Sequence, residues 1–208
     1  MPRFSDYHRT VIGYHGTRLS VARQIVDLTG SFQKSSNPHD WLGTGVYFWE
    51  YAPKQAWLWA EQLRKSRKWT EPTAVVASMI RLGNCFDLLD PDNITELEWH
   101  YQQFARMVTG AGGKTPKNHN TKKYLDRAVF EFAYAAHKDQ GEPVDTCRAV
   151  YVPTSTALDG KNARVWTRSW ITRTSHIQLC VRDLSCILGS WLVKPIEKPD
   201  AKSTHQQS

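Results

Sequence analysis

Apolar residues along this chain change period several times, and each change marks an element. Residues 11 to 17 read as a short strand ending at His15-Gly16-Thr17. Leu19, Ala22, Ile25 and Val26 then recur at helical spacing, with Ser20 placed as the N-cap and Gly30 as the stop. A polar stretch from Gln33 to Asp40 carries Asn37-Pro38, which is turn chemistry. Val46-Tyr47-Phe48-Trp49 is a second short strand. Pro53 suits the first turn of a helix through Gln55, Ala56, Trp59, Ala60 and Leu63. Arg64, Lys65, Arg67 and Lys68 gather at its end, where the helix dipole is negative.

Ala74 to Ile80 is a β-rich run, and Cys85-Phe86-Asp87-Leu88 continues it beyond a Gly83-Asn84 turn. Helical patterns follow over residues 94–108 and 122–138, separated by a glycine-rich, basic linker from Gly110 to Asn118 that is expected to be exposed. Strand signals return at residues 147–152, 165–171 and 176–181. Two β sections around a helical insertion at about residues 90–140 predict an α+β domain rather than a wound parallel sheet. Residues 1–193 are read as one domain and residues 194–208, which lack any period, as a tail.

Composition narrows the class. The chain has 208 residues, 40% of them hydrophobic, and nine tryptophans, enough for a real core. No apolar run reaches the length of a membrane-spanning helix, and Met1 to Asp6 offer no hydrophobic leader, so a cytoplasmic protein is expected, with no membrane partner. Cys85, Cys147, Cys180 and Cys186 show neither zinc-ligand spacing nor a disulfide framework, so no metal is expected; Cys180 and Cys186 read as small core residues. A formal charge of +7 favours polyanionic partners, although unpartnered surface lysines give the same balance.

Two segments carry candidate chemistry: Tyr14-His15-Gly16-Thr17, and Trp41-Leu42-Gly43-Thr44-Gly45-Val46-Tyr47-Phe48. Together they resemble the nicotinamide-binding half of NAD-dependent ADP-ribosyltransferases of the His-Tyr-Glu type. The resemblance implies a split β-sheet core and NAD as co-substrate. It assigns His15 to a ribose hydroxyl, Gly16 to backbone bonds with the nicotinamide carboxamide, and Tyr47 to stacking on the nicotinamide ring. Phe48 then points to the other strand face as core. Thr17 completes the first motif. Ser36 and Asn37 line the NAD groove by position, and Trp57 supplies a second stacking face because the helix pattern places Trp59 in the core.

The third motif of that family is a strand carrying glutamate, and here the matching strand has Gln178. An amide orients a ribose hydroxyl but takes no proton from an attacking group. Either the acceptor needs no base, or a carboxylate comes from Glu50, Glu131 or Asp159, or the chain binds NAD without transferring it. His176, two residues earlier, is a contact for the acceptor or the base that Gln178 is not. The loop before this strand interleaves Arg164, Arg168 and Arg173 with Trp166 and Trp170, a mixture suited to phosphates and unstacked bases. These features favour a nucleic-acid acceptor, RNA before DNA, and the resemblance then implies a bacterial toxin or anti-phage effector with a neutralising antitoxin as partner. Transfer to protein side chains and a silent NAD- or ADP-ribose-binding module are the alternatives.

Overall fold

The computed structural model describes residues 9–119, 122–152, 164–169, 171–172 and 174–193. Their order is β1 (Thr10–Arg18), α1 (Leu19–Val26), β2 (Val46–Glu50), α2 (Pro53–Ser66), β3 (Thr73–Arg81) and β4 (Cys85–Asp87), then α3 (Pro91–Gly110), α4 (Tyr124–Asp139), β5 (Thr146–Tyr151), β6 (His176–Val181) and β7 (Ile187–Leu192). The fold is α+β, with one mixed seven-stranded sheet in the order β4-β5-β6-β2-β1-β3-β7. Only β4 and β5 run parallel, and the helical pair α3 and α4 makes the crossover between them. Among the described residues no helix is long and apolar enough to cross a membrane.

The sheet buries both faces. On one, α1 packs Ala22 and Ile25 with Phe32, Val46, Phe48, Val76, Ile80, Leu179 and Val181. On the other, α2 covers Trp49 and Val75 through Ala56, while α4 covers Phe86, Cys147, Ala149 and Cys180 through Phe130 and Tyr134. Strict alternation in β2 divides its side chains: Phe48 goes to the α1 face, Tyr47 and Trp49 to the α2/α4 face.

Three local expectations are corrected and one element is added. Ser20 lies inside α1 and Arg18 is its N-cap; the Glu71 carboxylate accepts from the Ser20 N–H at 3.0 Å, so a side chain distant in sequence meets the helix end. The α1 helix stops at Val26, and Thr29 and Gly30 N–H groups close back on the Gln24 carbonyl. The described residues of the stretch 165–171 are not in a strand. They form a turn closed by a single bridge between Arg164 and Thr172, in which Arg168 takes a φ of 61°. Residues 187–192, unassigned in the sequence, form edge strand β7 against β3, where the central Gly189 and Ser190 blur the alternation.

Candidate functional site

Strand β1 parts from one of its two neighbours midway. It pairs with β3 along its whole length, Thr10 to Arg18, but with β2 only at Gly13↔Glu50 and Tyr14↔Trp49. The Tyr51 N–H donates to the Ile12 carbonyl, so the even-numbered backbone groups of β1 face β2. The next bond of that ladder would carry the Gly16 N–H to the Tyr47 carbonyl. His15 takes the place: its Nδ1–H donates to Tyr47 O at 2.9 Å. A carbonyl only accepts, so the proton sits on Nδ1 and Nε2 keeps a lone pair. Burial lowers the His15 pKa below 6.5, which keeps the ring neutral. Phe32 and Phe48 hold it at ring separations of 5.5 and 5.7 Å.

Gly16 therefore lies where the strands have separated, with its backbone edge toward the opening. It admits no side chain, because a Cβ there would stand 2.0 Å from the Ala56 carbonyl oxygen of α2. Close packing of α2 on β1 is thus a reason for glycine independent of any ligand.

On the α2/α4 face, the turn before β2 is held from three sides. The Tyr47 hydroxyl donates to the Gly43 carbonyl at 2.8 Å and accepts from the Leu42 N–H at 3.0 Å. Burial pushes its pKa far above the usual phenol value, so it stays protonated. From α4, the Tyr134 hydroxyl donates to Leu42 O at 2.8 Å and Glu131 accepts from the Thr44 N–H at 2.5 Å. Gly43 has a φ of 82°, which favours glycine at the tightest point. The turn is consequently rigid, and it delivers Trp41.

The Trp41 Nε1–H donates to Gln178 Oε1 at 2.5 Å. An indole has only a donor to offer, so this contact orients the amide: Oε1 is occupied and the Nε2 hydrogens point elsewhere. Gln178 pairs across the sheet with Trp49 on β2 and Ala149 on β5. Two residues earlier on β6, His176 stacks on Tyr151 with ring centroids 5.0 Å apart and 20° between planes, and stands 6.2 Å from Trp49. Its Nδ1–H donates to Thr174 O at 2.6 Å. Its Nε2 is buried with no hydrogen-bond partner among the described residues. Burial lowers this pKa too, leaving a neutral imidazole with an open lone pair. Trp59 from α2 meets Trp49 at 6.0 Å, His39 meets Trp59 at 5.9 Å, and Trp41 meets Tyr151 at 6.2 Å. The result is an aromatic strip around an oriented amide and an unpartnered imidazole nitrogen.

The structure brings Gln178 and His176 into this strip and joins His15 to Tyr47 through the Tyr47 backbone. It does not put the His15 and Tyr47 rings side by side, since His15 packs with the α1-face phenylalanines and Tyr47 against the α4 cluster. Thr17 continues the β1–β3 ladder opposite Ala74. Trp57 is exposed with the Lys54 ammonium 3.9 Å over its ring; Trp59 occupies the inward place. Ser36 is exposed. Asn37 is a scaffold residue: its N–H and the Ser35 hydroxyl both donate to the buried Asp40 carboxylate, and its amide donates to Ser35 Oγ at 2.6 Å.

The other carboxylates considered for proton transfer are engaged elsewhere. Glu50 is bound twice by Arg148, and Glu131 holds Thr44 with Arg182 3.6 Å away. Asp159 lies outside the described residues, as do Trp170 and Arg173. Arg164 donates to the Ser169 carbonyl, which closes the turn, and Arg168 and Trp166 are exposed on it. Sequence reasoning missed Trp41, Trp49 and Tyr151 as partners of Gln178 and His176, and Trp59 as the α2 ring against Trp49. Trp49 and Tyr151 share the period-two face of those residues, and that signal was available; the contact of Trp41, 137 residues from Gln178, was not.

No family model, curated protein or solved structure matches the chain.

Proposed function

We propose that this chain is an NAD-dependent ADP-ribosyltransferase whose acceptor is a nucleic acid. The observation that carries the reading is the parting of β1 from β2 immediately after Tyr14, with His15 capping the Tyr47 carbonyl and Gly16 turned toward the opening. An amide such as nicotinamide asks for one donor and one acceptor, and a glycine backbone beyond its ladder offers both. The Nε2 lone pair of His15 accepts from a ribose hydroxyl. The Gln178 amide, its oxygen held by Trp41, donates to a ribose oxygen rather than accepting from a hydroxyl as a glutamate would. The departing nicotinamide leaves an oxocarbenium-like centre, and positioning supplies most of the acceleration. Where the acceptor needs deprotonation, His176 Nε2 is the available base.

The acceptor class rests on the +7 charge and on the turn before β6, where Arg168 and Trp166 are exposed beside exposed Val152 and Ile171. A toxin or anti-phage effector with a neutralising protein partner fits such an activity. The test is incubation with labelled NAD and, in parallel, RNA, single- and double-stranded DNA, and protein lysate, following label transfer and nicotinamide release. Label on nucleic acid, abolished in Tyr47→Ala, is expected. Label on protein alone would replace the acceptor, and bound NAD without nicotinamide release would make the chain a binding module.

A further inference from the structure

The helical pair outside the sheet carries a second chemical cluster that the transferase reading does not use. Glu96 and His100 are four residues apart on α3 and so share one helix face; His137 projects from the last turn of α4 against them. One ligand atom from each of the three lies within 4.8 Å of the others. Glu96 Oε1 is 3.1 Å from His137 Nε2 and 3.7 Å from His100 Nε2. A tetrahedral ion with bonds of about 2.0 to 2.1 Å places its ligand atoms about 3.4 Å apart, between these two values.

The surroundings argue against a surface accident. His100 is 2% exposed and packs on Trp99, Phe132 and His137, while Phe86 stands 5.5 Å from the His137 ring. Three of the four ring nitrogens, His100 Nδ1 and both of His137, are buried without a hydrogen-bond partner among the described residues. The 3.1 Å approach of His137 Nε2 to Glu96 is close but not aligned as a hydrogen bond. Of these three nitrogens His137 Nε2 faces the Glu96 carboxylate, and a buried nitrogen left without a partner there is costly unless something occupies the point between them.

We propose that Glu96, His100 and His137 bind a divalent transition-metal ion of the zinc class. Two imidazoles and a carboxylate are a zinc donor set, and a fourth position remains for water or a ligand. The ion ties α3 to α4 one turn beyond Tyr134 and two beyond Glu131, the residues that brace the Leu42–Thr44 turn. This inference is independent of the transferase reading, and its test uses no activity.

Purified full-length chain is stripped with chelator and titrated with Zn²⁺ by calorimetry and with Co²⁺ by visible absorption, alongside thermal melting. Wild type is expected to bind one ion per chain, to melt higher with metal, and to give the intense absorption of low-coordinate Co²⁺. Glu96→Gln and His137→Gln should each weaken binding by more than about tenfold, the least that loss of even an outer partner of a ligand costs. His119→Gln, an exposed histidine on the linker, should bind as wild type does. Melting without metal verifies that each variant folds; if His137→Gln does not, Glu96→Gln decides. Absence of stoichiometric binding to wild type, or equal binding by wild type and a folded Glu96→Gln or His137→Gln, overturns the site.

Discussion

The sheet carries a closed polar cluster and a set of half-engaged polar groups spread over both faces, and they are finished in opposite ways. At the β4/β5 side, Arg148 binds Glu50 with bonds of 2.5 and 2.7 Å and reaches Asp87 at 3.2 Å, while Arg9 reaches Asp87 at 2.8 Å. The hydrogen bonds and charges there answer one another, and the Arg148 pKa is raised, first by its bonds to Glu50. At the opening between β1 and β2 and along the neighbouring strip, half the capacity is withheld: His15 and His176 each spend Nδ1 on a carbonyl and keep Nε2, and Gln178 spends its oxygen on Trp41. Polar groups near a core are usually satisfied; of these open atoms His176 Nε2 is buried without a partner among the described residues, and in the proposed reading each group is held by one atom so that the other meets a ligand. The first group holds the fold together; in the proposed reading the second is preorganised for a ligand.

The largest blow to this contrast should come from Arg148→Met. It leaves Glu50, whose side chain is 3% exposed, without its cation, and removal of one partner of a buried pair costs about 3 to 5 kcal/mol. Chemical denaturation should show that loss, with NAD affinity of the remaining folded protein unchanged. A loss of under about 1 kcal/mol, the scale of an exposed pair, would mean that the cluster is not structural. Next is Gly16→Ala, which drives a methyl into the Ala56 carbonyl and lifts α2 from β1; overpacking of this kind costs about 1 to 3 kcal/mol. Unlike the arginine change it should also weaken NAD binding, because the opening itself is distorted.

Smaller, and sharper, is Trp41→Phe. It keeps most of the packing and removes one hydrogen bond, worth about 0.5 to 1.5 kcal/mol of stability. Its effect should be larger on nicotinamide release than on folding, since an amide no longer oriented by the indole rotates freely. Gln178→Ala should lower turnover more than affinity if the amide acts in the transition state. Turnover equal to wild type in both variants would remove Gln178 from the chemistry and leave His176 as the group to test.

How much of this was legible follows from which forces are local. The His15-Gly16-Thr17 strand end, the Val46–Glu50 strand with Phe48 turned inward and the proline-led α2 were readable because period and turn chemistry act over a few residues. The α3 and α4 insertion was readable for the same reason. The inward place of Trp59 and the outward place of Trp57 were readable from the α2 stripe, whereas the partners each ring meets, Trp49 for one and Lys54 for the other, were not. The Glu71 contact at α1 and the Trp41 contact to Gln178 depend on strand order, which the sequence does not carry locally. The Glu96, His100 and His137 cluster was hidden likewise: its first two members have helical spacing, but the third is brought in by packing.

Protonation gives the mildest way to separate the two clusters. Burial places the His15 and His176 pKa values below the ordinary 6.5, so in the unfolded chain these rings take up protons first as pH falls. Between pH 6.5 and the folded-state values the unfolded chain binds more protons than the native one, and stability therefore declines with falling pH. Above 6.5 both states hold neutral rings and the contribution is complete; below the folded values both are charged and the decline stops. Melting temperature should thus fall on mild acidification, and His15→Gln or His176→Gln should each flatten that fall while lowering the melting temperature at pH 8 only modestly. His100, also shifted downward by burial, contributes to the same slope and must be compared as His100→Gln. A slope that survives in both the His15 and His176 variants but vanishes with His100 would assign the acid sensitivity to the helical pair. Loss of nicotinamide release over the same pH range, recovered on returning to neutral pH, would tie the neutral, half-satisfied imidazoles to the proposed chemistry, because a protonated Nε2 has no lone pair left to offer.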